Sequence, residues 1–203
     1  MTRITLLAAA AVGLGLALPG GARASGPADT WQFRCPAAGT TVEQSSGTTL
    51  RYRAEAPNNP ASCILAAGQR RFMGYWTVSE AFYRAGGERI ADALAKGIHL
   101  DTVPSVTFDY FATSRTHDSI HVQETWRAQD GGRITTPAGS FETVRVDRSF
   151  SVLGSNFFYT QSVWFDRAGG TPVTARIEHR NPFQAPSLVN WVADDITRPQ
   201  AAR

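Results

Sequence analysis

The sequence predicts a mainly β protein: a single antiparallel curved sheet, or half-barrel, with one short helical segment packed against it. Three observations predict this. Apolar and polar residues alternate at period two over most of the chain. Glycine-containing turn signals separate the alternating runs. One stretch alone, Ser79 to Lys96, has helical spacing.

Residues 1–24 read as a secretory signal peptide that precedes the fold. Arg3 gives the positive start, Ile4 to Leu18 the apolar run, and Ala22-Arg23-Ala24 the small residues before a cleavage point at Ser25. The run is shorter than the ~20 apolar residues a membrane span needs. No second long apolar run follows, so no span is expected after cleavage. Residues 25–203 then form a single exported, periplasmic domain.

Cleavage also reinterprets the charge. The 203 residues carry a net +3. Without Arg3 and Arg23, 18 basic residues face 17 acidic ones, a net +1. The arginines are scattered, as in Arg51-Tyr52-Arg53, with no basic block. Nucleic acid is therefore not an expected partner. Cys35 and Cys63 are the only cysteines. In an oxidising compartment their pairing as a structural disulfide is the default.

Along the chain, Trp31, Phe33 and Cys35 share a parity, as do Leu50, Tyr52 and Ala54. Val106, Phe108, Tyr110 and Ala112 form another apolar row, followed by Ile120, Val122, Trp126 and Ala128. Val144, Val146, Phe150 and Val152 continue the pattern, and Val173, Ala175 and Ile177 complete it. Asp130-Gly131-Gly132, Leu153 to Asn156 and Asp166 to Gly170 read as hairpin turns, so Val103 to Arg180 reads as a meander. Ser79 caps the helical stretch, Gly86-Gly87 interrupts it, and Gly97 stands at its C-terminal end. Asn181 to Ser187 reads as a loop, Leu188 to Ile196 as a final strand, and the chain from Asp194 on as a fraying polar tail.

Chemistry is sparse. G-x-S-x-G, H-E-x-x-H, P-loop and dinucleotide patterns are all absent. His117 and His121 lie in extended chain, where four residues span roughly 13 Å, too far to share a metal. Neither a metal nor a cofactor is expected. Glu124 and Arg148 each break an apolar parity, and they suit an interior pair or a pocket lining. Phe157, Phe158, Tyr159, Trp164 and Phe165 put aromatics on both faces of one strand.

The segment Thr135 to Val146, TTPAGSFETVRV, resembles the turn and strand of the DUF3108-like group of exported, β-rich bacterial proteins. Trp164 to Val173, WFDRAGGTPV, is similar to the aromatic, glycine and proline hairpin that follows in that group. The resemblance spans about residues 118–178. It implies an antiparallel half-barrel-like sheet and no catalytic residues.

The expected function is therefore non-enzymatic binding of an apolar or lipid-like ligand. Phe157, Tyr159, Trp164, Phe165, Glu124 and Arg148 are the candidate lining. The alternative is an envelope protein that recognises a protein partner. A hydrolase built on His121 or His179 ranks third.

Overall fold

Among the described residues, ten antiparallel strands form one open sheet. The computed structural model describes residues 30–114, 116–180 and 190–199. The expected signal peptide and the expected loop Asn181 to Ser187 lie outside the described residues. The strands are β2 Thr41–Gln44, β3 Thr49–Ala56, β4 Asn59–Leu65, β5 Arg70–Phe72, β7 Ser105–Thr113, β8 Ser119–Thr136, β9 Gly139–Val152, β10 Phe158–Asp166, β11 Pro172–His179 and β12 Trp191–Thr197, in the sheet order β5-β4-β3-β2-β12-β11-β10-β9-β8-β7. Two short strands, β1 Thr30–Trp31 and β6 Ile98–His99, pair separately. Helix α1 runs from Glu80–Phe82 through a π-helical turn, Tyr83–Gly87, into Glu88–Lys96.

The sheet is strongly curved. Phe72 on β5 and Trp126 on β8 touch edge to face with ring centroids 5.4 Å apart. Eight strand spacings separate them in the sheet order, which a flat sheet would spread over roughly 38 Å. Around this contact the concave side is filled by rings: Trp76 packs on Trp126, and Phe82 on Phe72 and Phe108. Helix α1 closes over Phe108, with Ile90, Ala91 and Leu94 buried beneath it. The convex side is mostly polar, with Phe111 and Trp164 among its exceptions, as alternation in a half-wet antiparallel sheet leads one to expect.

Cys35 and Cys63 form the expected disulfide and tie the segment after β1 to β4. Closing a loop of this length stabilises by roughly 3–4 kcal/mol on the chain-entropy model. A second tie is a backbone contact. Gly170, in the left-handed region at φ 59°, lies so close to the Arg34 carbonyl that a Cβ there would stand 2.0 Å from its oxygen.

Several local readings are corrected. Asp130-Gly131-Gly132 is not a hairpin turn. β8 runs straight through it as an 18-residue strand with a bulge between Asp130 and Gly132. The chain reverses at Pro137-Ala138 instead, and β9 follows. Gly86-Gly87 do not interrupt the helix but widen it by one π turn. The chain does not fray at Asp194, because Asp195, Ile196 and Thr197 pair with Glu43, Val42 and Thr41 of β2. The other two expected turns, and the meander β7 to β11, stand as expected.

Candidate functional site

Parity brings Glu124 and Arg148 together. Both lie on the concave face, Glu124 on β8 and Arg148 on β9, and Trp126 sits directly opposite Arg148 across the ladder. Glu124 is 0% exposed. A carboxylate there is tolerable only with its acceptor sites filled. Arg148 donates Nε to Oε2 at 2.9 Å and Nη2 to Oε1 at 2.6 Å, a two-pronged pairing. The Tyr110 hydroxyl donates to Oε1 at 2.7 Å and the Trp126 indole N–H to Oε2 at 2.7 Å.

Rings complete the cluster. The Arg148 guanidinium lies 5.5 Å from the Trp126 ring centroid and 5.4 Å from that of Phe150. Phe150 stacks on Tyr159 at 5.1 Å, and Phe157 meets both edge to face. Burial lowers the Arg148 pKa, but the adjoining Glu124 carboxylate, Tyr159 and Tyr110 together outweigh it and hold the pKa above the ordinary arginine value. The Tyr110 pKa is raised by burial first and then by the Glu124 charge beside it. Burial also raises Tyr159, with Arg148 opposing.

Four of the six candidate lining residues therefore meet: Phe157, Tyr159, Glu124 and Arg148. The other two do not join them. Trp164 is on the convex face, between the Arg145 guanidinium at 5.3 Å and that of Arg176 at 5.8 Å. Phe165 is fully buried core against Trp31, Phe33 and Trp76. Neighbours in a strand face opposite ways, so residues 164 and 165 could not share one wall.

A second buried polar network lies nearer the middle of the concave side. Gln161 on β10 accepts from the Trp76 indole at 2.8 Å and donates to the Tyr75 hydroxyl at 3.2 Å. The Trp191 indole donates to the same hydroxyl at 3.0 Å. Sequence reasoning missed this network. Its legible signal was Gln161, which breaks the apolar parity of β10 as Glu124 breaks that of β8.

A cleft bordered by Asn59, Arg70, Glu80 and Asp92 offers about 480 Å³, but its lining is mostly polar, and the apolar cavity is small. The apolar cavity between α1, β8 and β9, lined by Ile90, Leu94, Trp126 and Val146 among others, holds about 50 Å³. That suits a water or a methyl-sized group rather than a ligand of the usual pocket size, ~300 Å³ or more. His121 sits on the convex face, 2.6 Å from the Asp109 carboxylate. Among the described residues neither His121 nor His179 is hydrogen-bonded to a serine or threonine hydroxyl. No cluster of three potential metal ligands occurs among them, and no helix among them is long and apolar enough to cross a membrane.

No family profile matches the chain. No curated protein matches it either. The resemblance to the DUF3108-like group thus rests on the two segments quoted above. Among solved structures, the chain is similar to a Bacteroides fragilis protein taken to be exported and given a YmcC-like fold. Identity is 12% and the TM-score 0.34, over 83% of this chain and 100% of that one.

Proposed function

We propose that the protein is an exported, non-enzymatic binding protein whose ligand is an apolar or lipid-like molecule laid across the open end of the concave face. The carrying observation is the stack of Phe150, Phe157 and Tyr159 over Arg148, with Phe150 and Phe157 only half-buried. The small enclosed cavity argues for a ligand lying on this surface rather than inside the core. Glu124 engages Arg148 through two hydrogen bonds, so the pair is internally neutralised and its role is to hold the rings rather than to recruit an anionic head group.

Export is part of the same reading. The Cys35–Cys63 disulfide suits an oxidising compartment such as the periplasm. Cleavage after Ala24 predicts a mature protein that begins at Ser25, which N-terminal sequencing of exported material reads directly.

Binding is tested with delipidated protein and an apolar fluorescent dye, titrated with fatty acids and phospholipids. The expected result is dye displacement by one lipid class, weakened by Phe157→Ser. Failure of every lipid to displace the dye removes the ligand reading. The alternative, an envelope protein that recognises a partner, is supported by the filled core and by the bare β7 edge.

A further inference from the structure

The sheet has two ends, and they are built differently. At one end β5 is three residues long and carries Arg70 and Arg71. Short, charged edges resist pairing with other chains. At the other end β7 is nine residues long, SVTFDYFAT, with no lysine, proline or register shift against β8. Its Phe111 side chain is 67% exposed.

The register shows which backbone groups are free. Ala128 N–H donates to the Pro104 carbonyl at 3.1 Å, and Ser114 N–H to the Asp118 carbonyl at 2.8 Å. Both pairs fall on the register that sets Ser105 opposite Arg127 and Thr113 opposite Ser119. In an antiparallel ladder, bonded and non-bonded pairs alternate. Even-numbered residues of β7 therefore turn their N–H and C=O toward β8. Ser105, Thr107, Asp109, Phe111 and Thr113 turn theirs outward. Among the described residues nothing bonds to these outward groups.

We propose that β7 is a self-association edge. Two copies pair antiparallel through Asp109 to Thr113, about a two-fold axis at Phe111, and the two sheets become one. The register follows from side-chain chemistry. An axis at Asp109 would set two carboxylates face to face, which is unfavourable. An axis at Tyr110 would set each Phe111 against the other copy's Asp109. An axis at Phe111 sets ring against ring and Asp109 against Thr113. Each Phe111 already stacks on its own His121 at 4.7 Å, so the rings would continue across the axis as a four-membered row. This register also keeps clear of helix α1, which packs over Phe108. It forms about six backbone hydrogen bonds between copies. An interface of that size is weak and depends on concentration.

Sedimentation equilibrium of the purified protein tests the proposal, together with one cysteine variant. Phe111 is exposed and the chain has no free cysteine, so Phe111→Cys introduces a single reactive thiol. Across a bonded pair on the axis, Cα atoms lie about 5.5 Å apart, within the ~4.4–6.8 Å that a disulfide spans. The expected result is a dimer that grows with concentration, and a disulfide-linked dimer of Phe111→Cys under mild oxidation. Thr107→Cys should not cross-link, because its copy would lie roughly 27 Å away along the strand. Phe111→Lys places like charges on the axis and should weaken the dimer about tenfold or more, with the circular-dichroism spectrum unchanged. A monomer at all concentrations overturns self-pairing and leaves the edge to a foreign strand. A dimer untouched by Phe111→Lys, or cross-linked equally by Thr107→Cys, overturns the register.

Discussion

Glu124 stands where its strand calls for an apolar side chain, and Arg148 makes that placement tolerable. Removing one member leaves the other charge buried and unpaired. Glu124→Gln keeps the shape and two hydrogen-bond donors' acceptor, yet strands the guanidinium, and should cost about 3–5 kcal/mol. Urea unfolding reads this as a lower midpoint at unchanged slope. Replacing both together, Glu124→Leu with Arg148→Met, should cost less than the single change, because no charge is left in the interior. A double variant at least as damaged as Glu124→Gln would show that Arg148 matters mainly through its contacts with Trp126 and Phe150. Both charges were legible from parity alone, since an ionised group at an apolar position demands a partner. Tyr75 and Trp76 were not, because the stretch around them has no period to break. The sequence sets aromatics on both faces of β10, and Trp164 and Phe165 both stand among the candidate lining residues although adjacent strand positions cannot line one face.

Helix α1 shows how one element reconciles glycine with continuity. Gly86 lies against the Phe108 ring, where a Cβ would come within 2.3 Å of a ring carbon. Gly87 lies against Phe82 in the same way, at 2.4 Å. Gly86 thus lets the helix sit down on the Phe108 ring, Gly87 leaves room for the Phe82 ring of the same helix, and the π turn absorbs the misfit of the ladder. Gly86→Ala sets two effects against each other. Alanine favours helix by about 1 kcal/mol, whereas overpacking costs about 1–3 kcal/mol. A net loss of stability is expected, measured by thermal unfolding; a gain would mean Phe108 moves aside freely. Sequence signals at this scale were ambiguous for a stated reason. Gly-Gly marks a backbone need, not its outcome. The pair at 86–87 permits close packing, and the pair at 131–132 permits a bulge, with Gly132 at φ 65°. β4 was hidden because Pro60 lies within it, and proline reads as a strand breaker.

At the scale of the molecule, four tyrosines report on the packing. Burial raises the pKa of Tyr52, Tyr75, Tyr110 and Tyr159 above the ordinary tyrosine value. The folded state therefore holds phenolic protons that the unfolded chain releases near pH ~10. Stability from these groups is fully present below that pH and falls as pH rises above it. Ultraviolet titration should show little tyrosinate from them near pH 10, then a cooperative rise that coincides with loss of the far-ultraviolet β signal. Smooth ionisation near pH 10 with the fold intact would contradict their burial. The strand order was only partly legible. Consecutive hairpins follow from turns, but the seat of β12 does not, because one of its partners, β2, lies at the other end of the fold along the chain.

That seat has a consequence for how the molecule is made. β12 is the last of the described strands in chain order, yet it fills the gap between the early hairpins and the later meander. Until its seven residues arrive, β2 and β11 each wait with a bare flank, and among the described residues no strand pairing joins the early hairpins to the meander. The keystone is laid last. Closure of the sheet thus waits on β12, and the loop it must close spans nearly the whole fold, a slow step by the usual cost of distant pairing.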